Sequence, residues 1–249
     1  MACHILGAPN LALKLGIPTS VEAIKKEGTS PFQYPKSATL KFEFPARGTM
    51  GPVTLYWYDG LKEQPPVKGV PEGEYLGDLP NIGGGRGRGG AAGAPQDAAA
   101  MAPPPPTGFV GRVFRWNDAY LPTSERRRVA QPNGSLFVGD KGMITTGTYG
   151  EETRLLPVEK MRDYKMTPPL LTRSPGHYRD WIRACKGGDP ACSNFNVAAP
   201  FVEWMLLGVI ALRSEGKIEY DPVKMKITNN AEANKYLKPY IRKGWSFSG

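Results

Sequence analysis

Ala38-Thr39-Leu40-Lys41-Phe42-Glu43-Phe44 alternates without a break, with Leu40, Phe42 and Phe44 on one side and Lys41 and Glu43 on the other. A period of two is that of a strand with one face on a core and the other in water. The same rhythm flanks it. Residues 19–27 set Val21, Ala23 and Ile24 against Glu22, Lys25 and Lys26, and residues 53–58 run into Asp59-Gly60, a turn signal. Three short strands in succession, each half polar, predict an antiparallel sheet covered on one side only.

The cover is legible further along. Residues 198–213 carry Phe201, Trp204, Met205, Leu206, Leu207, Val209, Ile210 and Leu212 with almost no polar face, which predicts a buried helix closed by Gly216. Residues 175–186 predict a second helix, with Ser174 as N-cap, Pro175 in its first turn and Gly187-Gly188 after it. Residues 2–16 predict a helix kinked or restarted at Pro9 and stopped at Gly16. Residues 135–146 read as strand, Gly139-Asp140-Lys141-Gly142 turn, strand. Residues 153–156, 217–220 and 224–227 predict further strands, and 231–237 a short last helix. The expected class is α+β: an open, mostly antiparallel sheet with helices on one face, formed by a single domain over 1–249.

One stretch breaks the pattern. Residues 83–108 hold 8 Gly, 5 Pro and 7 Ala, and Met101 is the one large apolar residue among them. Such a segment cannot bury enough surface to offset its ordering entropy, and reads as a disordered low-complexity insertion. The apolar residues of 109–120, Phe109, Val110, Val113, Phe114, Trp116 and Tyr120, suit a segment that docks back on the body.

Composition narrows the function classes. The chain has 249 residues, 30 Gly, 25 Pro, 3 Cys and 2 His, with a net charge of +9. Three cysteines cannot staple a chain this long. Two histidines, and Cys185 and Cys192 with six residues between them, argue against a metal site. The apolar run 201–212 carries Glu203 and is shorter than the roughly twenty residues a membrane span needs, so no membrane partner is expected. There is no secretory signal pattern, and a cytoplasmic location is the default expectation, with the address of a full-length parent left open. Gly83-Gly84-Gly85-Arg86-Gly87-Arg88-Gly89 neither follows a strand nor opens a helix, so it is not read as a dinucleotide fingerprint. Its two arginines lack interleaved aromatics, and nucleic acid is not an expected partner.

Three places carry chemistry-bearing side chains. His4 lies on the first helix, beside Cys3. Arg173-Ser174-Pro175-Gly176-His177-Tyr178-Arg179-Asp180-Trp181 puts His177 in the first turn of a helix, where unpaired N–H groups suit hydroxyl or anionic ligands, although an ordinary capped helix has the same look. Tyr56-Trp57-Tyr58 ends a strand, where aromatics serve equally for stacking on a sugar ring or filling a core. Asp180 suits a salt bridge on its own helix face.

Read together, Met-Ala-Cys-His-Ile-Leu-Gly-Ala-Pro at 1–9, Gly-Ser-Leu-Phe-Val-Gly-Asp-Lys-Gly at 134–142, Arg-Ser-Pro-Gly-His-Tyr-Arg-Asp-Trp-Ile-Arg-Ala-Cys-Lys-Gly-Gly at 173–188 and the closing Asn229–Trp245 stretch resemble the C-terminal part of bacterial Gfo/Idh/MocA-type oxidoreductases, the glucose–fructose oxidoreductase and inositol dehydrogenase family. The resemblance covers nearly all of the chain outside about 61–133. It implies a domain that holds a sugar or polyol and forms a homo-oligomer through its open sheet. It further implies an NAD(P)-binding Rossmann domain and a Glu-Lys-Pro lysine in full-length relatives. His4 matches the histidine of the family's Asp-x-x-x-His motif. The aspartate would fall one residue before Met1, and the Glu-Lys-Pro motif is missing. The resemblance therefore makes His4 the vestigial acid/base and Arg173, His177, Tyr178 and Trp57 the substrate-pocket candidates. It implies a chain that binds no cofactor and is inactive alone, a truncation of a larger enzyme. A stand-alone, non-catalytic dimerising module is the alternative. A cofactor-independent sugar lyase or hydrolase would need paired carboxylates near His4 or His177, which the sequence does not offer.

Overall fold

The computed structural model describes residues 1–30, 32–61, 66–71, 74, 76–78, 133–168, 170–171, 173–238 and 240–246. The insertion expected at 83–108 and the apolar segment at 109–120 lie outside them. The chain divides into two compact units, one of residues 1–63 with 167–249 and one of 64–166.

The alternation that opened the reading is strand β2 (Ser37–Phe44), and Ala38, Leu40, Phe42 and Phe44 are all buried. It lies between β1 (Ser20–Glu27) and β3 (Val53–Asp59), antiparallel to both. The other edge of β1 pairs with β7 (Lys217–Asp221), and β7 with β8 (Lys226–Ile227). The sheet order is β3-β2-β1-β7-β8. Register sets Leu55, Phe42, Val21 and Ile218 in one row across four strands, all facing the core. In β1 the register slips between Ala23 and Lys25. That bulge accommodates Ile24, which breaks the period in the sequence and is left exposed.

Helix α4 (Phe195–Leu212) lies across this face. Trp204, Leu207, Ile210 and Ala211 are buried against β1 and β2. The Trp204 ring meets Phe42 and Phe44 edge-on at 5.4 and 5.2 Å, and its indole N–H donates to Asn10 Oδ1 at 3.0 Å. The expectation of a helix buried all round needs correction: Val202 and Leu206 are exposed, because one sheet face covers only one flank. The helix also starts earlier than expected, at Phe195, capped by the Asn194 side chain accepting from the Asn196 N–H at 2.9 Å. Pro200 lies inside it rather than at its start. At its other end Lys26 Nζ donates to the Ser214 carbonyl at 2.9 Å, placing a cation at the negative end of the helix.

The N-terminal helix is two pieces, α1 (Ala2–Ile5) and α2 (Gly7–Leu13). The break falls at Leu6, so Pro9 sits in the first turn of α2, where its missing N–H costs nothing. Lys14 then turns left-handed (φ 47°) and ends the helix ahead of Gly16.

The second unit carries a separate antiparallel sheet of order β4-β5-β6, with β4 at Ser135–Gly139, β5 at Gly142–Thr146 and β6 at Arg154–Leu156. Gly139-Asp140-Lys141-Gly142 is its hairpin turn, as the sequence indicates. The Gly77-Asp78 segment is stitched to it. Gly77 N–H donates to Thr145 Oγ1 at 2.9 Å, Asp78 accepts from Thr148 N–H and Oγ1, and buried Arg154 donates to the Gly77 carbonyl at 3.0 Å. Helices and open, antiparallel sheets make the chain α+β.

Candidate functional site

Helix α3 (His177–Cys185) carries most of the sequence-predicted site. It does not begin where its capping residues suggest. Ser174 Oγ accepts from Gly176 N–H at 3.3 Å, closing a turn of its own ahead of the helix. Gly176 follows at φ 107°, and its carbonyl takes the Asp180 N–H at 2.8 Å as the first helical bond. The expected Ser174 N-cap is thus corrected to Gly176, which has no side-chain cap, and His177 becomes the first helical residue.

The helix is inside out. Tyr178, Trp181, Ile182 and Cys185 recur at i, i+3, i+4 and i+7, the spacing of one apolar face, and all four are exposed, Tyr178 by 70% and Trp181 by 65%. The side turned inward is polar. Asp180 is 5% exposed; its Oδ2 accepts the Cys192 N–H at 2.7 Å and its Oδ1 the Arg183 Nη2 at 2.6 Å. Asp180 therefore forms the expected salt bridge and also pins the helix to the loop ahead of α4. The exposed stripe continues in kind on α4, where Phe195 (88% exposed), Ala199, Val202 and Leu206 follow at i, i+4, i+7 and i+11.

His177 and Tyr178 meet edge-on at 5.4 Å at the start of α3, both exposed, with Arg173 exposed in the segment before them. His4 lies on α1, also exposed. Trp57 is placed differently. It shares the inward phase of β3 with Val53 and Leu55 and packs against the core, while Tyr56 and Tyr58 project from the opposite face. Its neighbours make it a core-side residue of the sheet.

Among the described residues, the face of the main sheet opposite α4 is a charged lattice with an aromatic edge. Across β3, β2, β1 and β7 one row runs Tyr56, Lys41, Glu22, Lys217, and the next Thr54, Glu43, Ser20, Glu219. Glu43 accepts from Lys41 Nζ at 2.6 Å and Ser20 Oγ at 2.7 Å, and these bonds hold its carboxyl below the usual range. The Tyr56 and Tyr58 rings stack at 6.3 Å.

Among the described residues no three His, Cys, Asp or Glu side chains converge as a metal site, and the three cysteines are free thiols. One helix among them, α4, is long and apolar enough to cross a membrane by length and composition. The helix extends the apolar run 201–212 toward its N-terminus, and one flank of α4 is committed to the sheet. Every strand pairing among the described residues is antiparallel, so they contain none of the parallel βαβ units that hold a dinucleotide.

Comparison with protein-family models, with curated proteins and with solved structures finds no match. The outward stripe of α3 is the feature sequence reading missed. Its i, i+3, i+4, i+7 signal is present in the chain, but periodicity alone does not say which way an amphipathic helix faces.

Proposed function

We propose that the chain is the substrate-binding and self-associating part of an NAD(P)-dependent sugar or polyol oxidoreductase of the glucose–fructose oxidoreductase and inositol dehydrogenase type, and that it does not hold the dinucleotide itself. The observation that carries this reading is the uncovered surface of α3. Its apolar stripe faces out, and His177 and Tyr178 stand at its first turn. The His177 and Tyr178 side chains are open to a polyol on the chain by itself, and a dinucleotide-binding body set against this stripe would bury the apolar residues and enclose the polar ones. In that arrangement the His177 imidazole and Tyr178 hydroxyl bind and orient sugar hydroxyls, with Arg173 in the segment before them; His4, on α1, is the proton carrier only as the resemblance implies. A nicotinamide held by that second body would supply the hydride chemistry.

Saturation-transfer NMR with myo-inositol and glucose tests the reading. Transfer to the polyol is expected from the wild-type chain and is expected to be lost in His177→Ala and Tyr178→Ala, whose exposed positions leave the fold unchanged by circular dichroism. Absence of transfer, or transfer indifferent to both substitutions, overturns it.

The stacked, exposed Tyr56–Tyr58 pair favours a second reading, a self-associating module without catalytic work. That reading predicts a dimer in sedimentation that Tyr56→Lys dissociates, with no polyol contact at His177.

A further inference from the structure

The two edges of the main sheet are built differently. β8 closes one of them with two residues, Lys226 among them. A strand that short, with a lysine on it, is a poor template for further pairing. β3 closes the other with seven residues, in unbroken register with β2 from Val53 to Asp59. It holds no proline, no lysine or arginine and no bulge, so none of the devices that keep an edge from pairing is present. Among the described residues its only strand partner is β2.

The ladder fixes which way the backbone groups of β3 point. In an antiparallel sheet successive residues send both N–H and C=O to alternate sides. The Glu43 carbonyl accepts from Thr19 N–H at 2.8 Å, so Glu43 and Lys41 face β1. Phe42 and Leu40 therefore face β3, where Leu55 and Trp57 answer them. Thr54, Tyr56 and Tyr58 are left with N–H and C=O pointing off the edge of the sheet.

A two-fold axis through Tyr56 makes this edge complementary to itself. A copy set antiparallel places Thr54 opposite the partner's Tyr58, Tyr56 opposite the partner's Tyr56 and Tyr58 opposite the partner's Thr54, so each outward backbone group meets its counterpart. Leu55 falls opposite the partner's Trp57, and such apolar cross-strand pairs are favourable. Val53, Leu55 and Trp57 are partly buried, whereas their β2 neighbours Phe44, Phe42 and Leu40 are buried, and a copy beyond β3 completes their cover. The charges agree with this register. Asp59, the one charge of the strand, falls opposite the partner's Val53 and not its own copy. Lys41 lies three strand spacings, roughly 14 Å, from its copy, beyond the screening length at ordinary salt, and is already paired with Glu43 at 2.6 Å.

We propose that two copies of the chain associate edge to edge, β3 pairing with the partner's β3 about an axis at Tyr56 and joining the two five-stranded sheets into one. The proposal rests on the self-association in the readings above and places it on the edge of the sheet rather than on its face.

Sedimentation over a concentration series, with amide hydrogen exchange on the same samples of the full chain, separates edge from face. The wild type is expected to dimerise, and the Thr54, Tyr56 and Tyr58 amides to exchange more slowly as the dimer forms. Thr54→Pro removes an outward N–H that β2 does not use and leaves both tyrosines in place; proline is tolerated on an edge strand at such a position. It should be monomeric where the wild type is dimeric, with an unchanged circular dichroism spectrum. Tyr56→Lys sets two ammonium groups opposite each other on the axis and should also dissociate the dimer, which keeps the proposal testable if T54P does not fold. A monomeric wild type overturns the proposal, and protection of the three amides in a monomer assigns the edge to another segment and overturns it too. A dimer that T54P leaves intact, with those amides exchanging as in the monomer, overturns the edge and leaves self-association through the face standing.

Discussion

Gly208 shows how closely α4 lies on the sheet. A Cβ built there would sit 2.8 Å from Phe42 Cζ and 3.1 Å from Leu40 Cδ1, both on buried β2 residues. Gly208→Ala should therefore cost about 1–3 kcal/mol by overpacking, against the usual helix gain from alanine, measured by denaturant unfolding. Tyr220 is a second test. It is buried, and its hydroxyl donates to Glu203 Oε1 at 2.8 Å; burial first and this bond second push its phenol up to about 12. The neutral form is favoured in the fold, so this contribution is present below the unfolded value near 10 and is lost as pH rises toward 12. Tyr220→Phe should flatten the fall of stability between those pH values in urea titrations, and an unchanged slope would contradict the assignment. Single residues were legible where period and chemistry agreed, as at Phe42, Phe44 and Trp204. Trp57 was less legible: an aromatic at a strand end fits a ligand stack and a core equally well on sequence alone, and only the structure puts it on the core side with Val53 and Leu55.

At the scale of elements, β1, β2 and β3 followed from alternation because each buries one face, whereas the bulge at Ile24 did not, since residues 19–27 read as one alternating run. Helix boundaries were harder. Ser174-Pro175 has the chemistry of a helix start, yet the Ser174 hydroxyl is used in a local turn and the helix waits for Gly176. The facing of α3 was not legible at all, because the residue that decides it, Asp180, is held by a backbone N–H twelve residues later. The inverted helix predicts a contrast between two tryptophans. Trp181→Ser removes exposed surface and should change stability within about 0.5 kcal/mol. Trp204→Ala empties the centre of the core and should cost about 3–5 kcal/mol. Chemical denaturation of both variants checks this, and a large loss for Trp181→Ser would mean that its stripe is already covered in the folded chain. Asp180→Ala should cost about 1–3 kcal/mol, since it leaves the Cys192 N–H and Arg183 without their acceptor.

For the whole molecule, the α+β class and the β1-β2-β3 meander could be read in order along the chain, since sequential antiparallel strands need only local turns. The placement of β7 against β1 could not, because it joins residues about two hundred positions apart with no local signal. The division into two units was hidden for the same reason. The central claim is a division of labour: an open α+β body that presents a polyol-binding surface and leaves the dinucleotide to another body. Its most direct test is a calorimetric titration of the purified chain with NAD+ and with NADP+. The account predicts no saturable binding of either; saturable, stoichiometric binding of one of them would contradict it.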